Sequence, residues 1–259
     1  MEAFSVTKMD SETIKAYYRT PSVLDHYTRA TTGIGLWLSE KIAFTKLFHK
    51  RMQLLEVGTG TGRISFALEH LGYENLTAVD LSEAMIGQAL RIVEASKGSI
   101  VRFSVADACD LPFDDESFDG AIFGFNGMMQ IPRRESRRQA MKEIFRVLRP
   151  GSHFVFTTHD RDNPHHRKFW EQQAKLWADG RQNPSLEDFG DRYEETPMGM
   201  LFIHIPVRSE IREDITAAGF KYESDTPRSL LANENAEVRE FSDDCRFWIV
   251  RKPKDMYAE

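Results

Sequence analysis

The chain has 259 residues, of which 41% are hydrophobic and 11% aromatic, so it can bury a sizeable core. Its formal net charge of −6 argues against the broad basic surface of a general nucleic-acid binder. Two cysteines, Cys109 and Cys245, have no metal-binding spacing and are expected to be reduced thiols. The N-terminus is polar, and no apolar stretch has the length of a membrane span. These features predict a cytoplasmic globular protein with no membrane partner and no metal.

The predicted elements begin with short helices over residues 11–50, where aromatic and apolar side chains are interleaved with charges. A regular alternation follows, with strands predicted at 52–57, 76–79, 101–105, 121–125 and 154–157, and helices at 62–71, 82–96 and 134–148. Residues 160–205 break the rhythm and are predicted to be an insertion that covers part of the site. A helix at 209–218 and strands near 220–224 and 245–251 end the pattern.

This alternation implies βαβ units with right-handed crossovers. The predicted fold class is therefore α/β: a doubly wound, Rossmann-like, mostly parallel seven-stranded sheet whose last strand is antiparallel. In such a sheet, ligands bind outside the carboxyl ends of the strands. The turn after the first predicted strand is the expected ligand loop.

That turn contains the stretch EVGTGTG, residues 56–62, with glycines at alternate positions. Glycine has no Cβ, so a ligand can approach this backbone closely. The dinucleotide fingerprint G-x-G-x-x-G is not matched, because Arg63 stands where its third glycine is required. No Gly-Lys-Ser/Thr follows either, which argues against a phosphate loop.

Acidic residues lie at the ends of three successive predicted strands: Glu56, Asp80 and Asp107. A carboxylate at the end of the second strand can accept hydrogen bonds from both ribose hydroxyls. A carboxylate after the third strand is placed to receive the exocyclic amine of an adenine. Together the three residues suit an adenosine-containing ligand without phosphates. Either aspartate alone could instead cap a turn.

On the stretches LLEVGTGTGRI, TAVDLSEAM, VADACDLPFDDESFDGAIF and RVLRPGSHFVF, the chain resembles the class I S-adenosylmethionine-dependent methyltransferases of the small-molecule type. The resemblance covers roughly residues 50 to 160. It implies S-adenosyl-L-methionine as the cofactor and S-adenosyl-L-homocysteine as the product. It also implies four segments: an N-terminal helical lid (1–50), a cofactor-binding core (51–159), an insertion or substrate cap (160–205) and the C-terminal part of the core (206–259).

The resemblance also assigns roles to individual residues. The methionyl amino group is expected near Glu56, and the floor under the cofactor at Gly58, Thr59, Gly60 and Gly62. The ribose is expected at Asp80, with Leu81 and Met85 against the ribose or the adenine. The adenine edge is expected at Asp107 and Ala108, closure of the site at Phe125 and Asn126, and a lid contact at Tyr27. For Met85 and Tyr27, simple packing is an equally good interpretation.

Methyl transfer from a sulfonium is an in-line displacement, so positioning the two reactants and excluding water are the main tasks. His159, just beyond the fifth predicted strand, is the best-placed candidate for a general base. Other candidates lie in or beside the insertion: His165, His166 and His204. A structural histidine is the competing interpretation. The insertion aromatics Phe169, Trp170, Trp177, Phe189 and Tyr193 either wall a pocket or, as we favour, form the insertion's own core.

The one basic cluster, residues 133–138, lies on a predicted helix and indicates a solvated face rather than an RNA-binding patch. The leading hypothesis is an enzyme that methylates an oxygen or nitrogen of a small-molecule acceptor. RNA or protein methylation, cofactor binding without catalysis and, more remotely, NAD-dependent redox chemistry are the alternatives. The sequence predicts no particular acceptor and no oligomeric state.

Overall fold

The computed structural model describes residues 8–96 and 98–254. Three N-terminal helices come first: α1 (Ser11–Tyr18), α2 (Pro21–Arg29) and α3 (Leu38–Leu47), with a π-helical turn over Ala30–Ile34. α1 begins where the Asp10 side chain accepts a hydrogen bond from the Thr13 N–H. α2 begins with proline in its first turn, where the missing N–H leaves no hydrogen bond unmade.

The strands in chain order are β1 (Gln53–Val57), β2 (Asn75–Asp80), β3 (Arg102–Val105), β4 (Phe118–Phe123), β5 (Leu148–Thr158), β6 (Asp191–Thr196), β7 (Gly199–His204), β8 (Lys221–Pro227) and β9 (Arg246–Arg251). Seven of them form one sheet in the order β3-β2-β1-β4-β5-β9-β8, and β6 and β7 form a separate hairpin. Neighbours in the large sheet are parallel, except that β9 is antiparallel to β5 and β8. The predicted fold class is confirmed.

The remaining helices are α4 (Arg63–His70), α5 (Glu83–Ala95), α6 (Arg134–Val147), α7 (Arg167–Ala178), α8 (Arg208–Ala217), α9 (Arg228–Leu231) and α10 (Ala236–Phe241). The Ser82 side chain caps α5 by accepting from the Met85 N–H, as predicted. β4 ends two residues earlier than predicted, because Phe125 and Asn126 take positive φ angles and leave the extended conformation.

Both faces of the large sheet are buried, as a parallel sheet covered by helices requires. One apolar cluster includes Phe123, Ile144 and Ile215, from β4, α6 and α8. The opposite cluster includes Phe44 and Leu68, from α3 and α4. Among residues 8–96 and 98–254, no helix combines the length and the apolar character needed to cross a membrane.

The insertion carries α7 and the β6–β7 hairpin, and its aromatic side chains mostly pack on one another. Phe189 makes edge-to-face contacts with Trp170 and Trp177, at ring-centroid distances of 5.9 and 5.8 Å. Phe169 packs edge-to-face on Trp170 at 5.0 Å. These residues form a core for the insertion, which is the interpretation the sequence favoured. Tyr193 instead lies in a crevice against α1.

The basic cluster is only partly the solvated face that the sequence predicts: Arg133 is exposed, whereas the other three arginines pair with carboxylates. Arg134 and Arg138 both donate to the Asp214 carboxylate of α8, at 2.9 and 2.6 Å. Arg137 is 1% exposed and donates to Asp188 at 3.0 Å. The helical pattern of α6 could not show that acidic residues of α8 and the insertion lie opposite these arginines.

A buried polar network joins the hairpin to α8. The two ring nitrogens of His204 lie 2.7 Å from Asp191 Oδ1 and 2.8 Å from Glu210 Oε1. Atoms of Asp188, Asp191 and His204 lie as close together as metal ligands, but Arg137 donates to Asp188 and Glu210 takes the second His204 nitrogen. The geometry is that of a charge-compensated ion-pair network.

We expect Asp191→Asn to lower the free energy of unfolding by about 3 kcal/mol, because it removes one partner of a buried pair. Burial opposes ionisation of Asp191, but the hydrogen bonds from His204 and from the Asp188 and Glu187 N–H groups, together with the charge of His204, lower the carboxyl pKa. The destabilisation caused by Asp191→Asn is therefore largest above the ordinary aspartate pKa of 3.8. It becomes smaller as the pH falls below that value, because the wild-type carboxylate is then protonated. Urea unfolding at neutral and acidic pH measures both effects. The exposed hairpin residue Glu195 provides the control, Glu195→Gln, and equal losses in the two variants would contradict the assignment.

Candidate functional site

A cavity of about 290 Å³ lies beside the carboxyl ends of β1, β2 and β4, beneath α1 and α2. A smaller cavity of about 40 Å³ adjoins it. The residues that line both are Tyr27, Gly58, Gly60, Gly124 and Phe125. The two cavities are therefore neighbouring compartments of one site, at the sheet edge that the topology predicted.

The glycine turn forms the wall shared by these compartments. Gly58, Gly60 and Gly62 have φ angles of +67°, +57° and +93°, a region that glycine adopts without strain. A Cβ on Gly58 would overlap the Phe123 ring, and one on Gly62 would lie 2.7 Å from Phe66. At Gly60 the nearest side chain is Tyr27, at 3.9 Å. Two of the glycines thus permit packing, and Gly60 keeps the cavity side of the turn open.

Asp80 connects the end of β2 to the glycine turn. Its carboxylate accepts hydrogen bonds from the N–H groups of Gly60, at 2.8 Å, and Ser82, at 2.9 Å. Asp80 also lines the larger cavity, and burial raises the pKa of its carboxyl. Because a carboxylate offers about four acceptor positions, the turn cap leaves capacity for a ligand.

Glu56 lies at the end of β1 and lines the smaller compartment. It accepts hydrogen bonds from the hydroxyl groups of Thr59, at 2.9 Å, and Ser65. Burial raises the Glu56 pKa to about 7, although both hydroxyls act in the opposite direction. A cationic partner stabilises the ionised form of such a buried carboxylate.

The residues predicted at the adenine end lie along the larger cavity: Leu81, Met85, Asp107 and Ala108. Asp107 is exposed at the mouth and accepts from the Cys109 N–H at 2.8 Å. Met85 also packs in a cluster with Tyr17 and Val23 of the lid. Met85 therefore packs in the core and also lines the cavity, and its contact with the cofactor stays a prediction.

Phe125 and Asn126 follow β4 with φ angles of +50° and +57°, which non-glycine residues rarely adopt. Phe125 lines both compartments. Asn126 is buried behind it, and its N–H donates to the Thr157 hydroxyl at 2.8 Å. Its side-chain Oδ1 is buried without a hydrogen-bond partner among the described residues.

His159 lies beside Asn126 and is not among the residues that line either compartment. Its Nδ1 lies 3.2 Å from the Asp244 carbonyl, and its Nε2 lies 3.2 Å from Asn126 Nδ2. Because a carbonyl can only accept, the proton is on Nδ1 and Nε2 carries the lone pair. Burial lowers the pKa of His159, which keeps the ring neutral at physiological pH.

Sequence reasoning missed the part of the wall that comes from α1 and from the turn after β4. Tyr18 donates a hydrogen bond from its hydroxyl to Gln130 Oε1, and both side chains line the larger cavity. Residues at the cavity mouth include Asp10, Ser11, Lys15, Pro132 and Arg133. The paired aromatics Tyr17 and Tyr18 on a charged helix were the only sequence signal for this wall.

Comparisons with known proteins agree with this geometry. The family described as "Methyltransferase domain" matches residues 55–156. Ubiquinone/menaquinone biosynthesis C-methyltransferase UbiE of Roseobacter denitrificans is 37% identical over 105 residues, 40% of this chain and 40% of its own. O-methyltransferase resE of Aspergillus sclerotiorum is 35% identical over 125 residues, 48% of this chain and 43% of its own. The matches thus span less than half the length of these two relatives.

Residues 55–156 thus match a methyltransferase domain, and these relatives support the resemblance to the class I S-adenosylmethionine-dependent methyltransferases. A solved structure of similar fold is the 1,6-didemethyltoxoflavin-N1-methyltransferase of Burkholderia thailandensis, with bound S-adenosylhomocysteine. It is 16% identical, with a TM-score of 0.59 over 96% of this chain and 93% of that one. The domain match and the relatives support S-adenosyl-L-methionine as the cofactor. The open face at Gly60 and the acidic groups around it fit such a cationic adenosyl group.

We expect Gly58→Ala to destabilise the fold by about 2 to 4 kcal/mol, because the new methyl group meets Phe123 at a positive φ. The matched control is Gly87→Ala, within α5, where an added Cβ meets nothing within 4 Å. That control should stabilise the protein by about 0.5 to 1 kcal/mol through helix propensity. Thermal unfolding of both variants measures these opposite signs, and a neutral Gly58→Ala would contradict the packing assigned to the turn.

Proposed function

We propose that this protein transfers the methyl group of S-adenosyl-L-methionine to an oxygen or nitrogen atom of a small molecule. The observation that carries the proposal is the enclosure of the site. α1, α2 and the turn after β4 cover the cavity, and Tyr18 and Gln130 join across it by a hydrogen bond. A covered cavity accommodates a small acceptor better than a polymer.

Charge supports the same choice of acceptor class. An RNA-methylating enzyme needs cationic side chains free to meet phosphates. Arg134, Arg137 and Arg138 are instead paired with carboxylates of α8 and the insertion. The cluster that first suggested an RNA-facing patch is therefore largely neutralised.

Three carboxylates account for cofactor recognition in this proposal. Glu56 binds the methionyl ammonium group, Asp80 accepts from the ribose hydroxyls, and Asp107 meets the adenine amine. The bound cofactor supplies an electrophilic methyl group on a positively charged sulfur. Because that charge disappears as the methyl group moves, Tyr27 and Phe125 favour transfer by excluding water from both compartments.

His159 is proposed as the general base for an acceptor that must lose a proton. The Asp244 carbonyl fixes the ring with its lone pair on Nε2, and burial favours the neutral form. Asn126 now holds Nε2, so the imidazole reaches an acceptor only when this amide turns aside. Asn126 thus controls access to the base.

Incubation with S-adenosylmethionine labelled in the methyl group, together with fractionated metabolites, RNA and protein, tests the proposed function. We expect label in a small molecule, on oxygen or nitrogen, with stoichiometric release of S-adenosylhomocysteine. Label in RNA or protein would show a macromolecular acceptor. Label on carbon, as the name of UbiE indicates for that relative, would reject the atom type but keep the class. Cofactor binding with no transfer to any fraction would favour a non-catalytic role.

We expect Asp80→Asn to weaken S-adenosylhomocysteine binding by about 10- to 100-fold, the equivalent of one or two hydrogen bonds to a charged group. Calorimetric titration measures the loss. Asp110→Asn, an exposed residue outside the cavity lining, should bind as the wild type does. Equal affinity in the two variants would remove Asp80 from the ribose site.

His159→Gln should lower kcat by about 10²- to 10⁴-fold while leaving S-adenosylhomocysteine affinity unchanged, which is the signature of a lost base. Single-turnover methyl transfer with the acceptor from the labelling experiment measures the rate. A loss smaller than tenfold would assign His159 a structural role in holding Asn126.

A further inference from the structure

Three ionisable side chains lie buried together behind the glycine turn. Arg63, the first residue of α4, makes a two-pronged ion pair with Glu40 of α3, with N···O distances of 2.7 and 2.6 Å. Glu40 is 1% exposed and Arg63 7%. Glu56 is the third member, and it shares the smaller compartment with Arg63.

In this group, Arg63 is hydrogen-bonded to Glu40, whereas Glu56 is hydrogen-bonded to hydroxyl groups. Arg63 also donates a hydrogen bond to the Gly35 carbonyl, at 2.8 Å. Its guanidinium lies 4.7 Å from the Trp37 ring centroid. Glu56 accepts only from the hydroxyl groups of Thr59 and Ser65 among the described residues. The cation nearest to Glu56 is thus directed away from it, toward Glu40.

We propose that Glu40 is a positioning residue for the cofactor: by engaging Arg63, it reserves the Glu56 carboxylate for the methionyl ammonium group. The inference rests on the proposed role of Glu56. Glu40 lies behind Arg63 and is not itself among the residues that line either compartment. It acts only through the guanidinium.

The charge count explains why such a residue is needed. Arg63 and Glu40 sum to zero, so an ionised Glu56 leaves one net negative charge in a buried site. The ammonium group of the cofactor neutralises that charge when it binds. Without Glu40, Arg63 would serve as the partner of Glu56, and the cofactor would have to compete with a built-in cation.

Other charged groups face this cluster from the elements around it. Tyr27 of α2 lies in the shared wall, Cys245 lies near Arg63 just before β9, and Asp80 lies across the glycine turn. The Arg228 guanidinium of α9 lies 5.1 Å from the centroid of the Trp37 ring that Arg63 also faces, and Glu234 lies near Cys245. Burial raises the pKa of Tyr27, of Cys245 and of Asp80. Burial raises the Glu56 pKa to about 7, in the neutral range.

The pH dependence of S-adenosylhomocysteine binding separates positioning from simple support of the fold. Affinity should be constant above the Glu56 pKa and fall about tenfold per pH unit below it, because binding requires the ionised carboxylate. Calorimetry in two buffers of different ionisation enthalpy reports the protons released. The midpoint of this dependence, the pH at which Glu56 is half ionised in the free protein, is the quantity to compare between variants.

The proposal predicts opposite shifts in two variants. Glu40→Gln leaves Arg63 uncompensated, so the midpoint should move to lower pH by about one unit or more, with weaker binding at alkaline pH. Arg63→Gln leaves Glu40 uncompensated, so the midpoint should move upward by a similar amount. The double variant, Glu40→Gln with Arg63→Gln, should return close to the wild-type midpoint. If one single variant fails to fold, the other single variant and the double variant still show the direction in which the midpoint shifts.

The matched control is Glu234→Gln. Glu234 is buried and caps α3 by accepting from the N–H groups of Leu38, at 3.0 Å, and Ser39, at 2.8 Å, and it makes no hydrogen bond to Arg63. This variant should lower thermal stability without moving the midpoint. Shifts of the same sign in both single variants, or no shift in either, would overturn the inference while leaving the cofactor assignment intact. A wild type that binds no S-adenosylhomocysteine would overturn the proposed function and this inference with it.

Discussion

The buried ion pair between Arg63 and Glu40 connects α3 to α4, the helix that follows the glycine turn. Arg63 begins the helix after the glycine turn, and Glu40 lies in the first turn of α3, where it also accepts from the Trp37 N–H at 2.9 Å. Arg63 further holds the Gly35 carbonyl at the end of the π-helical turn. Loss of one member of such a pair costs about 3 to 5 kcal/mol, because the other is left buried and uncompensated. This contact therefore helps to hold α3 and the π-helical turn against the start of α4.

The carboxyl ends of adjacent parallel strands supply the rest of the site. β1, β2 and β4 end at one edge of the sheet, so Glu56, Asp80 and Phe125 meet there although they are far apart in sequence. The Asp80 carboxylate fixes the Gly60 N–H, which sets the path of the turn against the cavity. In the proposed function, rigid strands position the cofactor-binding groups, and α1, α2 and the turn after β4 form the acceptor side.

Periodicity and motif spacing predicted the sheet, its helices and the glycine turn, because these depend on local pattern and on the rules of βαβ connection. They did not predict that Arg63 pairs with Glu40, since no periodicity relates residues of α4 to residues of α3. The β6–β7 hairpin was hidden for a similar reason: its buried His204 is held by Asp191 and Glu210, polar partners that no hydrophobic pattern reveals. Tyr18 was missed as part of the wall because α1 packs on the β6–β7 hairpin and α2, and local sequence patterns do not reveal such tertiary contacts.

A crystal structure of the protein with S-adenosylhomocysteine tests the central claim most directly. It should show the adenosyl group in the larger compartment, with the ribose hydroxyls on Asp80, and the ammonium group within hydrogen-bond distance of Glu56. The pair of Arg63 and Glu40 should remain intact beside it. A ligand bound elsewhere, or an ammonium group facing solvent while Arg63 turns to Glu56, would contradict this account.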